Sequence, residues 1–229
     1  MPRLYDRVVS RLLLALVCWT VCPVFAQKLP EFRLTDNQGQ PLADAVVVIR
    51  QAGGVPATEP ADAVVDQVDL AFVPEVTVVQ AGSRVRFPNS DDTRHHVYSF
   101  SDAKTFEIQL YRSDDAPPIE FDKTGLVVLG CNIHDGMRGF IYVVDSHLYG
   151  VTDEHGRVTL PPLTAHEGAQ VMLWHPQMAD ALELPLTSLP NAQGSELTIP
   201  LPFTFEAPGQ NPAGTDLRNR LQRFRSSGS

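Results

Sequence analysis

Seven residues constrain this chain more than any others: Cys131-Asn132-Ile133-His134-Asp135-Gly136-Met137. They place a thiol, an imidazole and a thioether at positions i, i+3 and i+6. The β-reading run Leu126-Val127-Val128-Leu129 enters the segment, and Phe140-Ile141-Tyr142-Val143-Val144 leaves it. Such runs read as strands, so the seven residues read as a tight loop whose ends are fixed by two neighbouring strands. Upstream, His95 and His96 stand at the start of a further strand, Val97-Tyr98-Ser99-Phe100.

The ends bear on what Cys131 is for. Arg3, Arg7 and Arg11 precede an apolar run from Leu12 to Val24, and Val24-Phe25-Ala26 ends in a small residue. This is the pattern of a secretory leader over residues 1–26. The run is short for a membrane span, which needs about 20 residues. Cys18 and Cys22 leave with the leader, and neither follows a small residue as a lipid-acceptor cysteine would. The mature chain then keeps Cys131 alone, so it has no internal disulfide. A lone thiol in an oxidising compartment is a liability unless something occupies it. Removing Arg3, Arg7, Arg11 and Asp6 takes 18 basic and 27 acidic residues to 15 and 26, a net charge of −11. That balance argues against nucleic acid and against anionic membranes.

The rest of the chain alternates short β-reading runs with turn chemistry. Glu31-Phe32-Arg33-Leu34, the turn Asp36-Asn37-Gln38-Gly39-Gln40-Pro41 and the run Ala45-Val46-Val47-Val48-Ile49 read as strand, turn, strand. Gln51 to Ala63 is rich in Gly, Pro and Ala and reads as a linker. Further strands are expected around Val64–Leu70, Phe72–Val79 (with Pro74 at an edge or kink), Arg84–Phe87, His95–Phe100, Thr105–Tyr111 and Ile119–Asp122. Leu148 to Leu160 reads as a hairpin about an Asp-Glu-His-Gly turn. Ala169–Pro176 and Ser195–Pro200 read as strands. Residues 206–229 are too polar to pack and read as disordered or weakly helical. Strands recurring roughly every 8–12 residues, with no helical period of useful length, indicate an all-β sandwich.

One Cys, two His and a weak Met form the donor set of an electron-transfer copper site, because thiolate, imidazole and thioether together suit both oxidation states. Zinc more often takes a second Cys or a carboxylate. Cys131, His134 and Met137 would come from the loop, and His95 is placed to complete the set from the neighbouring strand. Adjacent strand residues face opposite ways, so only one of His95 and His96 should face the metal. The turn Asn89-Ser90-Asp91-Asp92 is placed to supply hydrogen bonds to the ligands. His96, Asn89 and Asn132 are the candidates for that outer role or for an alternative ligand. His147, His155, His166 and His175 show no metal spacing, and no His-x-His pairs of the kind a multicopper oxidase needs are present. No Ser-His-Asp set, phosphate loop or carboxylate pair suggests an enzyme.

From Val68 to Val144 the chain resembles a cupredoxin of the plastocyanin and amicyanin type. The likeness rests on the Phe72-Val73-Pro74 strand, the Ala81-Gly82 turn before Val85, the His-x-Val strand, the Gly125 turn and Cys131-x-x-His134-x-x-Met137 with Gly139 behind it. The short Cys-to-Met spacing is the amicyanin one. In those families a His-Asn-Val sequence gives the ligand first and a bracing Asn second. This implies His95 as ligand and leaves His96 where the Asn would be. Leu129-Gly130-Cys131-Asn132-Ile133-His134-Asp135 and Trp174-His175-Pro176 resemble exported cupredoxin-domain proteins labelled methylamine utilisation proteins. The flanks, Thr35–Val47 and Val151–Leu160, look like the first and a later hairpin of a carboxypeptidase-regulatory-like β-sandwich.

The expected organisation is therefore a leader (1–26), a Greek-key cupredoxin sandwich (62–145), a flanking β-sandwich module (27–61 and 146–205) and a tail (206–229). The expected function is that of a periplasmic type 1 copper protein, not an enzyme. It would carry single electrons to and from a redox partner protein, with no membrane span once the leader is cleaved. A copper-binding module for delivery or sensing is the alternative.

Overall fold

A computed structural model of the protein describes residues 31–51, 60–112, 116–134, 136–161, 168–189 and 196–206. The expected leader, most of the Gln51–Ala63 linker and residues 207–229 of the expected tail lie outside them. Among the described residues the chain is all-β. Its strands in order are β1 (Glu31–Thr35), β2 (Val46–Arg50), β3 (Ala63–Val64), β4 (Asp66–Val68), β5 (Ala71–Val73), β6 (Val76–Gln80), β7 (Ser83–Arg86), β8 (His95–Ser101) and β9 (Lys104–Tyr111). They continue with β10 (Ile119–Phe121), β11 (Gly125–Gly130), β12 (Arg138–Val144), β13 (Tyr149–Val151), β14 (Arg157–Val158), β15 (Gln170–Trp174), β16 (Leu182–Pro185) and β17 (Glu196–Pro200).

These strands form four stacked sheets and one separate hairpin. A three-stranded sheet, β14-β1-β17, faces a four-stranded one, β13-β2-β15-β16. Phe32, Leu34, Val47, Ile49, Val171 and Leu173 fill the space between them. The five-stranded sheet β6-β12-β11-β8-β9 faces the small sheet β10-β7-β3. Val79, Val85, Val97, Phe121, Val127, Leu129 and Ile141 fill that second space. A third cluster joins the two halves: Val46, Val48, Met172 and Trp174 meet Val76, Phe140 and Val144. Strand β2 thus sends Val47 and Ile49 one way and Val46 and Val48 the other. This explains why its sequence is a continuous β-branched run rather than an alternating one. Strand β12 is divided likewise, with Ile141 and Val143 toward the lower core and Phe140 and Val144 toward the upper one.

The five-stranded sheet shows why the order of strands is not the order of the chain. Strand β12 pairs antiparallel with β11 through Val127↔Ile141 and Leu129↔Gly139, and parallel with β6 through Phe140↔Val76. Strand β11 then touches β8, not β10, at Gly130↔Tyr98. Such long-range crossings between two facing sheets are the Greek-key way of closing a sandwich.

Two expectations need correction. The segment Thr35–Val47 closes antiparallel only at the short Thr35↔Pro41 bridge, and Leu148–Leu160 contains a turn, yet in neither case do the flanking strands pair with each other. Strands β1 and β2 lie in different sheets, and so do β13 and β14. The turns are locally sound: the Asp36 carboxylate accepts from Gln38 and Gln40, and that of Asp153 accepts from His155 and Arg157. What carries the chain across is Thr152. Its hydroxyl donates to Leu42 O and accepts from the Ala45 N–H, which stitches the two crossovers together. Gly156 at φ +74° closes the second turn, and a Cβ there would fall 2.3 Å from the Leu34 carbonyl oxygen. Leu182-Glu183-Leu184-Pro185 forms a short edge strand, β16, that the sequence pattern does not announce.

His175 is a core residue of the upper half. It is 3% exposed, accepts a hydrogen bond from Gln177 N–H and stacks near Phe203. Burial pushes its pKa down to about 4, against a smaller opposing effect of the Ala43 backbone.

Two outcomes follow. Trp174 is 1% exposed and lies 5.3 Å from Phe140 and 5.7 Å from Tyr142. Trp174→Ala should cost about 3–5 kcal/mol, read as a lowered urea midpoint. Trp174→Phe should cost clearly less, because it keeps a ring and removes an indole N–H that has no hydrogen-bond partner. For His175 the folded pKa is depressed, so the folded state binds fewer protons between pH 6.5 and 4. Its contribution is complete above pH 6.5 and is lost as pH falls toward 4, by at most roughly 3 kcal/mol. Urea melts at pH 7 and 4.5 should differ less in His175→Gln than in the natural chain.

Candidate metal centre

Strand β8 decides which histidine turns inward. Its burial alternates, with His95, Val97 and Ser99 buried and His96, Tyr98 and Phe100 toward the other face. His95 is 0% exposed. The ring of His96 lies on the opposite face, 2.8 Å from a Glu107 carboxylate oxygen. His96 as an alternative ligand is therefore corrected: the period of two that buries His95 removes His96 from the site.

The β11–β12 hairpin supplies the rest. The Cys131 N–H donates to Met137 O at 3.3 Å and the Met137 N–H to His134 O at 3.2 Å, with Gly136 at φ +89°. These bonds curl the loop so that Cys131 and His134 face the same point. Cys131 Sγ lies 3.8 Å from His95 Nδ1 and 3.6 Å from His134 Nδ1, and the two Nδ1 atoms are 3.1 Å apart. Bonds of about 2.0 Å to imidazole and about 2.3 Å to thiolate put donors around one ion at such separations. The donor atoms thus fit a single ion. Among the described residues these three are the group able to hold one. Met137 is buried in the same cluster as Cys131 and lines the same groove. Asp135 lies outside the described residues, and Asn132 is exposed on the loop.

The surrounding polar groups are ordered by the turn before β8. Asn89 is buried; its amide donates to Thr93 O and Tyr111 O, and its oxygen accepts from the Asp91 N–H. Asp91 Oδ2 lies 2.7 Å from His95 Nε2. Burial works against charge on Asp91, but hydrogen bonds from Leu70 N–H, His95 and Asp69 N–H prevail and hold its pKa below the usual carboxylate value. Tyr111, opposite His95 in the ladder, donates to Phe87 O and contacts Gln67. Burial pushes its phenol up to about 12. Of the three residues expected in an outer role, then, Asn89 hydrogen-bonds within the turn before β8, His96 lies against Glu107 and Asn132 is exposed.

A feature that local sequence pattern does not reveal lies on the outer face. Tyr98 rests across Gly130, next to Cys131, and stacks 5.2 Å from Phe100, which is 78% exposed. Together with Val128, Cys131, His134 and Met137 they line a groove of about 510 Å³. Sequence periodicity places Tyr98 and Phe100 on one face, but the close approach to Gly130 depends on β8–β11 pairing.

No protein-family model matches the chain, and no curated protein matches it. Solved structures do. A Cu-containing nitrite reductase from Thermus scotoductus SA-01 is similar over 42% of this chain and 25% of its own, at 28% identity and a TM-score of 0.35. An oxidised amicyanin carrying a single substitution matches over 43% of this chain and 98% of its own, at 18% identity and a TM-score of 0.33. A purple cupredoxin from Nitrosopumilus maritimus matches over 37% and 99%, at 18% identity and a TM-score of 0.32. The first of these is described as copper-containing and the last as a cupredoxin. The present chain spans a quarter of the nitrite reductase. Among the described residues no helix is long and apolar enough to cross a membrane.

The contact at Gly130 is open to test. A Cβ there would fall 2.7 Å from the Tyr98 ring, so Gly130→Ala should cost about 1–3 kcal/mol by overpacking. In a double-mutant cycle, Tyr98→Ala should remove most of that cost, with urea midpoints as the readout.

Proposed function

We propose that this chain is an exported, periplasmic type 1 copper protein that carries single electrons between redox partner proteins. His95, Cys131 and His134 would be the near donors and Met137 a weaker fourth one. The observation that carries the reading is the convergence of two imidazole nitrogens and one sulfur within 3.8 Å of one another. When bound, copper would supply a one-electron couple. The chain's own part is to keep the donors from moving as charge changes. His95 is fixed on a central strand, and Cys131 and His134 on a loop clamped at both ends by β11 and β12. His134 is only half-buried and lines the groove, which makes its ring the natural exit for an electron.

The division into a cupredoxin sandwich (62–145) and a flanking module (27–61 and 146–205) belongs to the same proposal. Two observations support it: the flanking strands share a core of their own, and β2 pairs with both β13 and β15. The flanking module would dock a partner. The Leu129–Asp135 and Trp174–Pro176 runs support a grouping with exported proteins that bear the methylamine utilisation label, without implying methylamine chemistry.

The groove favours a second reading, copper delivery or sensing, because it brings solvent space beside Cys131, His134 and Met137. Residues 27–229 with one equivalent of copper(II) should give an intense visible thiolate charge-transfer band and a type 1 paramagnetic resonance spectrum. Cys131→Ser should abolish the band, and His96→Ala should leave it in place. A colourless product with oxidised Cys131 would support delivery and count against electron transfer.

A further inference from the structure

Among the described residues, the outer face of the five-stranded sheet is covered over only part of its width. On β12 and β11, Phe140, Tyr142 and Leu126 pack with Trp174, Met178 and Ala181 of the upper half. Two residues past Leu126, on the same face of β11, Val128 is already 39% exposed. Tyr98, lying across Gly130, and Phe100, stacked beside it and 78% exposed, continue the open part of the face. Val128, Tyr98 and Phe100 border the groove of about 510 Å³ that runs to His134 and Met137. Aromatic and branched side chains left open together beside a covered face mark a surface that another segment fits.

The chain leaves the described residues beside this step. The Glu206 N–H donates to Gln177 Oε1 at 3.0 Å, and Gln177 Nε2 donates to Glu206 O at 2.6 Å. Gln177 stands three residues past Trp174, whose ring lies 5.3 Å from that of Phe140, and Phe140 is the ladder partner of Val128. Residues 207–229 follow. They begin with linker chemistry, Pro208, Gly209, Pro212 and Gly214, and continue with Leu217, Leu221 and Phe224. The chain from Glu206 to Leu217 reaches up to about 36 Å when extended, well beyond the radius of about 13 Å of a ~100-residue domain.

Charge favours a contact with the body of the protein. Arg218, Arg220, Arg223 and Arg225 against Asp216 give the tail a net charge of +3. Removing them takes the 15 basic and 26 acidic residues of the mature chain to 11 and 25, a net of −14. At the groove, Glu107 stands opposite Tyr98 in the ladder and Asp102 follows Ser101, both exposed. Arg138, on the inner wall, lies over the Phe140 ring. Leu217, Leu221 and Phe224 fall at i, i+4 and i+7, so a helix formed on contact would carry them on one side, with arginines flanking them.

We propose that this groove is the seat of the chain's own C-terminal segment, Leu217–Phe224, whose three apolar side chains cover Val128, Tyr98 and Phe100. Alone the segment is too polar to pack. Its tether holds it at an effective concentration of mM order, so weak affinity suffices. The seat needs no ion. Only its consequence, that the segment screens the half-buried His134 from a redox partner, rests on the copper reading.

Hydrogen–deuterium exchange of the metal-free chain, residues 27–229, tests the seat. Amides of residues 217–225 should exchange about tenfold more slowly than in the same segment as a free peptide, the ratio for an effective concentration of mM order against a dissociation constant of order 0.1 mM. Phe100→Ser, at an exposed position, and Phe224→Ser, in the tail, should each abolish the protection. Salt of about 1 M, where the Debye length falls to about 3 Å, should reduce it, and dilution of the protein should not. Free exchange in the natural chain overturns the proposal. So does protection that survives either variant, that appears only as copies associate, or that appears only with anionic vesicles. Because exchange is read without metal, loss of the seat leaves the copper reading standing, and absence of a type 1 spectrum leaves the seat standing.

Discussion

The arrangement depends on burying both faces of strand β12. One face, through Ile141 and Val143, closes the core beneath the candidate centre; the other, through Phe140 and Val144, receives Trp174, Met172 and β2. A strand that is apolar on both faces cannot remain at a surface, so an isolated lower sandwich would expose Phe140, Tyr142 and Val144 to water. The flanking strands cover that surface. The same strand begins where the Cys131–Met137 loop ends, so the upper layers brace the loop through its exit strand. The packing of Trp174 against Phe140 and Tyr142 and the position of Met137 are therefore parts of one structural problem.

The candidate centre shows a second constraint, the scarcity of water around His95. A buried imidazole must have both nitrogens satisfied, because an unpaired polar atom in a poorly solvated place costs more than it would at the surface. Asp91 satisfies one side. Among the described residues the other side meets Cys131 and His134, whose donor atoms lie within 3.8 Å. Three donor atoms that converge in this way could hold one ion. The outer face of the same sheet differs: there His96 finds Glu107, and Tyr98 and Phe100 line an open groove.

Much of this is legible locally. The Asp36–Pro41 and Asp153–Gly156 turns form where their Asp and Gly residues indicate, because a carboxylate two to four residues before free N–H groups defines its own geometry. The run Val46–Ile49 reads as a strand, and the Cys131–Met137 spacing reads as a ligand loop. The period of two shows that His95 and His96 cannot share a site. The two expected hairpins do not extend into paired strands beyond the Thr35↔Pro41 bridge, because a sound turn does not name the strands that flank it. Backbone donors and acceptors are alike on every strand, so β1 chose β14 and β17, and β2 chose β13 and β15, through side-chain packing and through Thr152. Strand β16, four residues ending in proline, carries too weak a pattern to be seen.

The sequence by itself determined the donor types, their spacing on one loop, the all-β class and the alternation that separates His95 from His96. These follow from covalent neighbours and the pleat of a single strand. The tertiary structure decided which histidine faces the thiol, that Asp91 holds its far nitrogen, that Tyr98 lies across Gly130 and that a second pair of sheets covers β12. Each of these is a meeting of segments distant in the chain. Such meetings are selected by the summed packing of whole sheets, which no local pattern encodes.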